Sequence, residues 1–165
     1  MPDPVVIADY DPAWPDQFEE LRTRAARALG DLALAIEHVG STAVPGCAAK
    51  PVIDLDVVVR SADDIPEAIR CLGSLGYGHE GDLSTPGRHA FTYPEGEPRH
   101  HLYVVVEGSA AHRAHIRLRD HLRLHPEDAH AYAELKRALA AHYRSDWAGY
   151  TEAKSDFIER LLSEP

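Results

Sequence analysis

Cysteine is scarce in this sequence. Only Cys47 and Cys71 occur, far apart and in no CxxC pair. This excludes a zinc site built on thiolates and argues strongly against a disulfide framework. Long apolar runs are missing too, and nothing approaches the ~20 residues that a membrane span requires. The opening Met1-Pro2-Asp3-Pro4 has neither a basic stretch nor an apolar one behind it, so no signal peptide is expected. Positive charge is also in deficit: 17 Lys and Arg against 27 Asp and Glu give a formal net charge of −10. Nucleic-acid binding over a broad basic surface is therefore disfavoured. A small phosphorylated substrate stays open, because local cations can override net charge. Arg113, Arg117, Arg119 and Arg123 do crowd into one short segment.

What is present is globular. Hydrophobic residues make up 44% of the chain and charged ones 27%, values of a folded protein and not of a disordered one. The 165 residues suit one domain with a real core and are few for two, so a single domain over 1–165 is expected. The reading is a cytoplasmic protein that does not enter membranes. Its oligomeric state, a homo-oligomer included, stays open.

Periodicity divides the chain. Val5 to Ala8 reads as a short first strand. A helix then begins near Asp11-Pro12, with Trp14, Phe18, Leu21, Ala25 and Ala28 on one face, and ends at Gly30. Strands are expected over Leu34–Val39 and, most clearly, Pro51–Val59, with a helix from about Asp63 to Leu75. Weaker strands at Tyr77–Glu80 and Arg88–Tyr93 precede a strong one at Arg99–Val106. The rest is helical: Ser109 caps one helix, Pro126 opens another, and a last helix carries Trp147, Tyr150, Phe157 and Leu161. The pattern is an α/β (α+β) domain, a mixed sheet of about five strands with a helical C-terminal third.

The strand PVIDLDVVV carries two aspartates that its own stability does not require. Alternation puts Asp54 and Asp56 on one face and Ile53, Leu55, Val57 and Val59 on the other. The two side chains start roughly 7 Å apart, near enough to share a cation. Without one they repel, and Mg²⁺ favours such hard oxygen ligands together with substrate phosphates. The plain alternative is a solvated strand face with two chance acids. Upstream, Gly40 lets backbone approach a ligand, and Ser41 and Thr42 set hydroxyls beside exposed N–H groups. A helix cap is the alternative there, although Pro45 and Gly46 keep any following helix short.

Gly-Ser, some dozen residues, then Asp-Leu-Asp on a strand resembles the signature of the nucleotidyltransferase superfamily related to DNA polymerase β. A narrower likeness covers nearly the whole chain. ADYDPAWPDQFEELR, IEHVGSTAVPGCAAKPVIDLDVVV, HIRLRDHLRLHPEDAHAYAELKRALA and YTEAKSDFI all resemble the GrpB family. The resemblance implies a nucleotidyltransferase-like mixed β-sheet with flanking helices. Gly40, Ser41, Thr42, Lys50, Asp54, His101, Arg119, Asp120, Arg123, Lys136, Tyr150 and Lys154 stand at positions the family pattern shows. Cys47 replaces a usual leucine, Tyr103 stands in place of a histidine, His112 replaces a usual aromatic, and Asp56 fills a position that is not always acidic.

Polymerase-type enzymes use a third carboxylate on a later strand. Here that strand reads RHHLYVVVE, with Arg99, His101, Tyr103 and Val105 on one face and no acid before Glu107. His101 is the candidate ligand or general base, against a plain sheet-edge histidine. On the next helix His112, His115 and Arg119 share a face and Arg123 follows one turn on. That face suits phosphate recognition, and it equally suits a solvated helix with Asp120 pairing Arg117 or Arg123. A zinc site of His101, His112 and His115 is a weaker option. Lys136 and Lys154, taken alone, read as surface lysines.

Two functions lead. One is Mg²⁺-dependent nucleotidyl transfer from a nucleoside triphosphate to a small-molecule acceptor. In it Gly40, Ser41, Thr42 and Lys50, with His115, Arg119 and Arg123, hold substrate, Asp54 and Asp56 hold the metal, and Asp54, Asp56 and His101 are catalytic. The other is a non-catalytic nucleotide- or protein-binding module of the same fold. A histidine-based metal hydrolase is the weakest.

Overall fold

A computed structural model describes residues 5–83 and 85–163. Five strands, β1 (Ala35–Val39), β2 (Ile53–Val59), β3 (Gly78–Gly81), β4 (Arg88–Thr92) and β5 (His100–Val106), form one sheet in the order β1-β2-β5-β4-β3. β2 and β5 run parallel at the centre, and the other pairs are antiparallel. The valine-rich sequences of β2 and β5 follow from this position, since a central strand is covered on both faces.

Helix α1 (Trp14–Leu29) buries Trp14, Leu21, Ala25 and Leu29 and stops at Gly30, whose φ of 56° favours glycine. With α2 (Ile65–Gly73) it covers the sheet face that carries Ile53, Leu55, Val57, Val59, Leu102 and Val104. These strand residues are at most 4% exposed, so this face is the main core. Helices α3 (Ala110–Leu124), α4 (Pro126–Tyr143) and α5 (Trp147–Ser163) form the C-terminal third. α3 meets the opposite sheet face through Ala111, Val58 and Val105. A further cluster joins the segment after β1 (Val44, Cys47, Ala48) to Leu122, Tyr132, Ala133 and Leu161 of the three helices. The acidic sheet face is thereby roofed by helices, not left to solvent.

Boundaries moved where proline or a single bond pair intervenes. The expected strand Val5–Ala8 reduces to one bridge, Ala8 to Ala49, because Gly46 and Pro51 bracket the partner segment and leave it no extended run. The helix expected from Asp63 opens as a 3-10 turn over Ala62–Asp64 and becomes α-helical only at Ile65, where Pro66 fits the first turn. Ser109 caps α3 as expected, accepting from the His112 backbone N–H.

Candidate active site

The site begins at the end of β1. Gly40 takes φ 74° and ψ −176°, and Ser41–Ala43 form a 3-10 turn. The glycine is required twice over. Its φ is one that L side chains rarely adopt, and a Cβ there would lie 2.4 Å from Asp54 Oδ2. The turn thus packs bare backbone against the carboxylate of the neighbouring strand, where Val39 and Asp54 are register partners. Three contacts hold it. His38 Nε2 meets the Thr42 hydroxyl at 2.9 Å while its ring stacks on Phe18, and burial pushes the His38 imidazole down to about 4, so it is neutral at pH 7. From the roof, Arg123 Nε donates to the Ala43 carbonyl at 2.8 Å. Arg119 donates to the His38 carbonyl at 3.2 Å, and it ion-pairs Glu37 at 2.7 Å and Asp120 at 3.0 Å.

Both aspartates face the roof, and each is tethered by an imidazole. His101 Nδ1 donates to Asp54 Oδ1 at 2.7 Å, and His115 Nδ1 donates to Asp56 Oδ2 at 2.7 Å. A neutral imidazole that donates through Nδ1 keeps Nε2 as an acceptor. The second oxygens of the two acids are placed differently. Asp54 Oδ2 lies under Gly40, and Asp56 Oδ1 is buried with no hydrogen-bond partner. An orphaned carboxylate oxygen is a hard donor that a divalent cation would complete, so the chemistry of Asp56 and Asp54, on one strand face, fits Mg²⁺. The other metal-type cluster among the described residues, His125, Glu127 and Asp128, contributes nothing to the pocket lining.

A cavity of about 460 Å³ opens between this sheet face and the helices, lined by Gly40, Ser41, Thr42, Lys50, Asp54, His101 and His115. Its volume is that of small-molecule sites. Seven of the expected site residues therefore converge. Arg119 and Arg123 do not line it; they brace the turn from outside, so their placement is a positioning one and not that of ligand arginines. Asp56 is fully buried and does not line the cavity. The three-histidine zinc arrangement is not assembled, because His112 Nδ1 accepts from the Gly108 N–H and His115 is committed to Asp56.

The largest correction concerns the lysines. Lys50, Lys136 and Lys154 are all the lysines in the sequence, and all three line this cavity. Lys136 is 2% exposed, far from the surface role its sequence position suggests. Lys50 Nζ sits 4.7 Å from the Trp147 ring centre, Lys136 Nζ 4.5 Å from Tyr132, and Lys154 Nζ 5.5 Å from Tyr150, contacts that favour a cation. Burial pushes Lys50 and Lys136 down to about 8, with repulsion from Lys154 adding to it in both. Lys154 is lowered by burial while Asp54 opposes the shift. Tyr103, raised to about 12 by burial, stays protonated and cannot replace the missing third acid as a base.

Sheet order, parallel central pair and glycine turn define a nucleotidyltransferase-like fold. The Cid1 poly(U) polymerase with MgGTP bound superposes with a TM-score of 0.52 at 17% identity, over 83% of this chain and 44% of that one. This chain belongs to the GrpB family: the GrpB protein family model matches residues 4–164. The conserved protein GrpB from Enterococcus faecalis superposes with a TM-score of 0.76 at 29% identity, covering 95% of this chain and 99% of that one. UPF0157 protein PA4798 of Pseudomonas aeruginosa is 38% identical over 164 residues, 97% of this chain and 67% of its own. UPF0157 protein YqkA of Bacillus subtilis is 34% identical over 155 residues, and the match spans 45% of that relative.

Gly40→Ala and Gly46→Ala separate backbone strain from the acid contact. Both residues have positive φ, 74° and 80°, but only Gly40 would meet Asp54, while Gly46 faces open space. Gly46→Ala should lower unfolding free energy by about 1–2 kcal/mol, the strain alone. Gly40→Ala should cost at least about 1 kcal/mol more and perturb the His101–Asp54 bond. Urea unfolding measures the first effect and imidazole ¹⁵N shifts the second. Equal costs for the two variants would mean the turn does not lean on Asp54.

Proposed function

We propose that the chain is a Mg²⁺-dependent nucleotidyltransferase that moves a nucleotidyl group from a nucleoside triphosphate to a small-molecule acceptor. The observation that carries this reading is the convergence of every lysine in the sequence on one cavity, opposite the Gly40–Ser41 turn and the Asp54 carboxylate. Three cations without carboxylate partners within ion-pair distance among the described residues suit a polyanion. A triphosphate would take its place on the turn N–H groups, the Ser41 hydroxyl and Lys50, with Lys136 and Lys154 over its distal end.

Asp54 and Asp56 would hold the metal. Bound there, Mg²⁺ would offset charge on the transferring phosphoryl group and its leaving pyrophosphate. His101, oriented by Asp54 through Nδ1, would accept the acceptor's hydroxyl proton at Nε2. The new bond joins that oxygen to the α-phosphorus, the α–β bridging bond breaks, and pyrophosphate leaves. A second reading, nucleotide binding without turnover, is favoured by one feature: a histidine, not a third acid, stands opposite Asp54 in the β2–β5 register. The two readings part on whether Mg²⁺-dependent pyrophosphate release occurs.

A thermal-shift series with nucleoside triphosphates should raise the melting temperature in the presence of Mg²⁺. Asp54→Asn should remove the Mg²⁺-dependent part of that rise. Equal shifts for wild type and Asp54→Asn would remove the metal assignment.

The lysines add a pH signature. A lysine near 8 in the free protein and above 10 against a polyphosphate binds a proton as the ligand binds. Affinity should then be full below pH 8 and fall as pH rises, about tenfold per lysine between pH 7 and pH 9. Calorimetry in two buffers of different ionisation enthalpy at pH 8.5 should register proton uptake. Flat affinity with no uptake across this range would show ordinary exposed lysines.

A further inference from the structure

Arg88 is the cation of this cavity that the nucleotide does not account for. It opens β4, two strands beyond β2 in the sheet, and its register partner is Val105, which puts it on the same face as His101 and Tyr103. Its guanidinium lies 4.5 Å from the Tyr103 ring centre, and it lines the cavity. Its Nε is buried with no hydrogen-bond partner. Among the described residues no carboxylate pairs with it, whereas Arg119 satisfies its own guanidinium on Glu37 and Asp120. A buried N–H without an acceptor is unfavourable and rare, and a planar guanidinium fixed by an aromatic face is well prepared for a two-pronged anion.

Position decides which anion. Across the sheet the order is the glycine turn on β1, Asp54 on β2, His101 on β5 and Arg88 on β4. With strands about 4.8 Å apart, Arg88 lies one strand beyond the base and three beyond the turn. In the transferase reading the triphosphate takes the glycine-turn end. Resting on the transferase reading, we infer that Arg88 selects the acceptor: a small hydroxylated anion, its hydroxyl at His101 Nε2 and its carboxylate or phosphate on Arg88. Tyr103 supplies the face that keeps the guanidinium flat toward the cavity.

The test uses four probes of similar size, glycerate, glycerol 3-phosphate, glycerol and ethanolamine. Each is titrated into wild type and Arg88→Gln, with and without saturating Mg²⁺ and a non-hydrolysable nucleoside triphosphate. In wild type at least one of the two anions should bind tenfold or more tightly than glycerol or ethanolamine. It should also move the Arg88 Nε–Hε resonance in ¹H–¹⁵N spectra. Whichever anion prevails separates carboxylate from phosphate. Arg88→Gln should lose the preference and keep nucleotide affinity within about twofold. If the variant does not fold, the wild-type Arg88 resonance alone decides. No anion preference, or an unmoved Arg88 resonance, overturns the inference. So does a nucleotide-only shift of that resonance with tenfold weaker nucleotide binding in Arg88→Gln, since Arg88 would then belong to the nucleotide. Failure of the transferase reading looks different: the Gly40 amide would not respond to nucleotide, while the nucleotide-free titrations would still report on Arg88.

Discussion

The contact between Gly40 and Asp54 is the constraint on which the rest of the site depends. A side chain at residue 40 would collide with Asp54 Oδ2, so the turn and the first acid can share a site only because that backbone is bare. Much of the surrounding structure maintains this approach. The β1–β2 register sets Val39 against Asp54, Thr42 is tied back to a neutral His38, and Arg123 pins the Ala43 carbonyl from the helical roof. Arg119 extends the brace to β1 through Glu37. Two arginines thus connect α3 to the turn, and α3 also brings His115 to Asp56. One helix fixes both the glycine turn and the second acid.

The second organising feature is electrostatic. A chain of net charge −10 concentrates all its lysines around one cavity. Burial pushes all three pKa values down, and repulsion from a neighbouring lysine adds to it at Lys50 and Lys136, which means the protonated cluster is held at a cost that a bound polyanion would offset. The aromatic partners Trp147, Tyr132 and Tyr150 reduce that cost and direct the ammonium groups inward. Local field, not net charge, decides what such a cavity attracts.

Much of this was legible in the sequence. Alternation placed Asp54 and Asp56 on one face of their strand and His101 on one face of a later strand, because strand period is a local property; the β2–β5 register brings those faces together. Gly40-Ser41-Thr42 read as a tight turn after a strand, since the pattern needs only adjacent residues. What stayed hidden depended on tertiary convergence. Lys50, Lys136 and Lys154 sit on three separate segments, and nothing local marks Lys136 as buried. Arg88 lies in a weak strand, and its importance arises only from β4 pairing with β5. Arg119 and Arg123 misled for the opposite reason. Their helix face was read correctly, but Glu37 and the Ala43 carbonyl, some 80 residues away in sequence, already occupy it. The short Val5–Ala8 strand failed because its partner segment is bracketed by Gly46 and Pro51 and makes only one bridge.

The central claim is that the glycine turn, the aspartate pair and the lysines form one metal–polyphosphate site. Crystals grown with Mn²⁺ and a non-hydrolysable nucleoside triphosphate test it most directly, through anomalous scattering at the manganese edge. The account predicts an anomalous peak at Asp54 and Asp56, with polyphosphate density running from the Gly40–Ser41 turn toward Lys50, Lys136 and Lys154. A peak confined to His125, Glu127 and Asp128, or polyphosphate bound away from the turn, would contradict it.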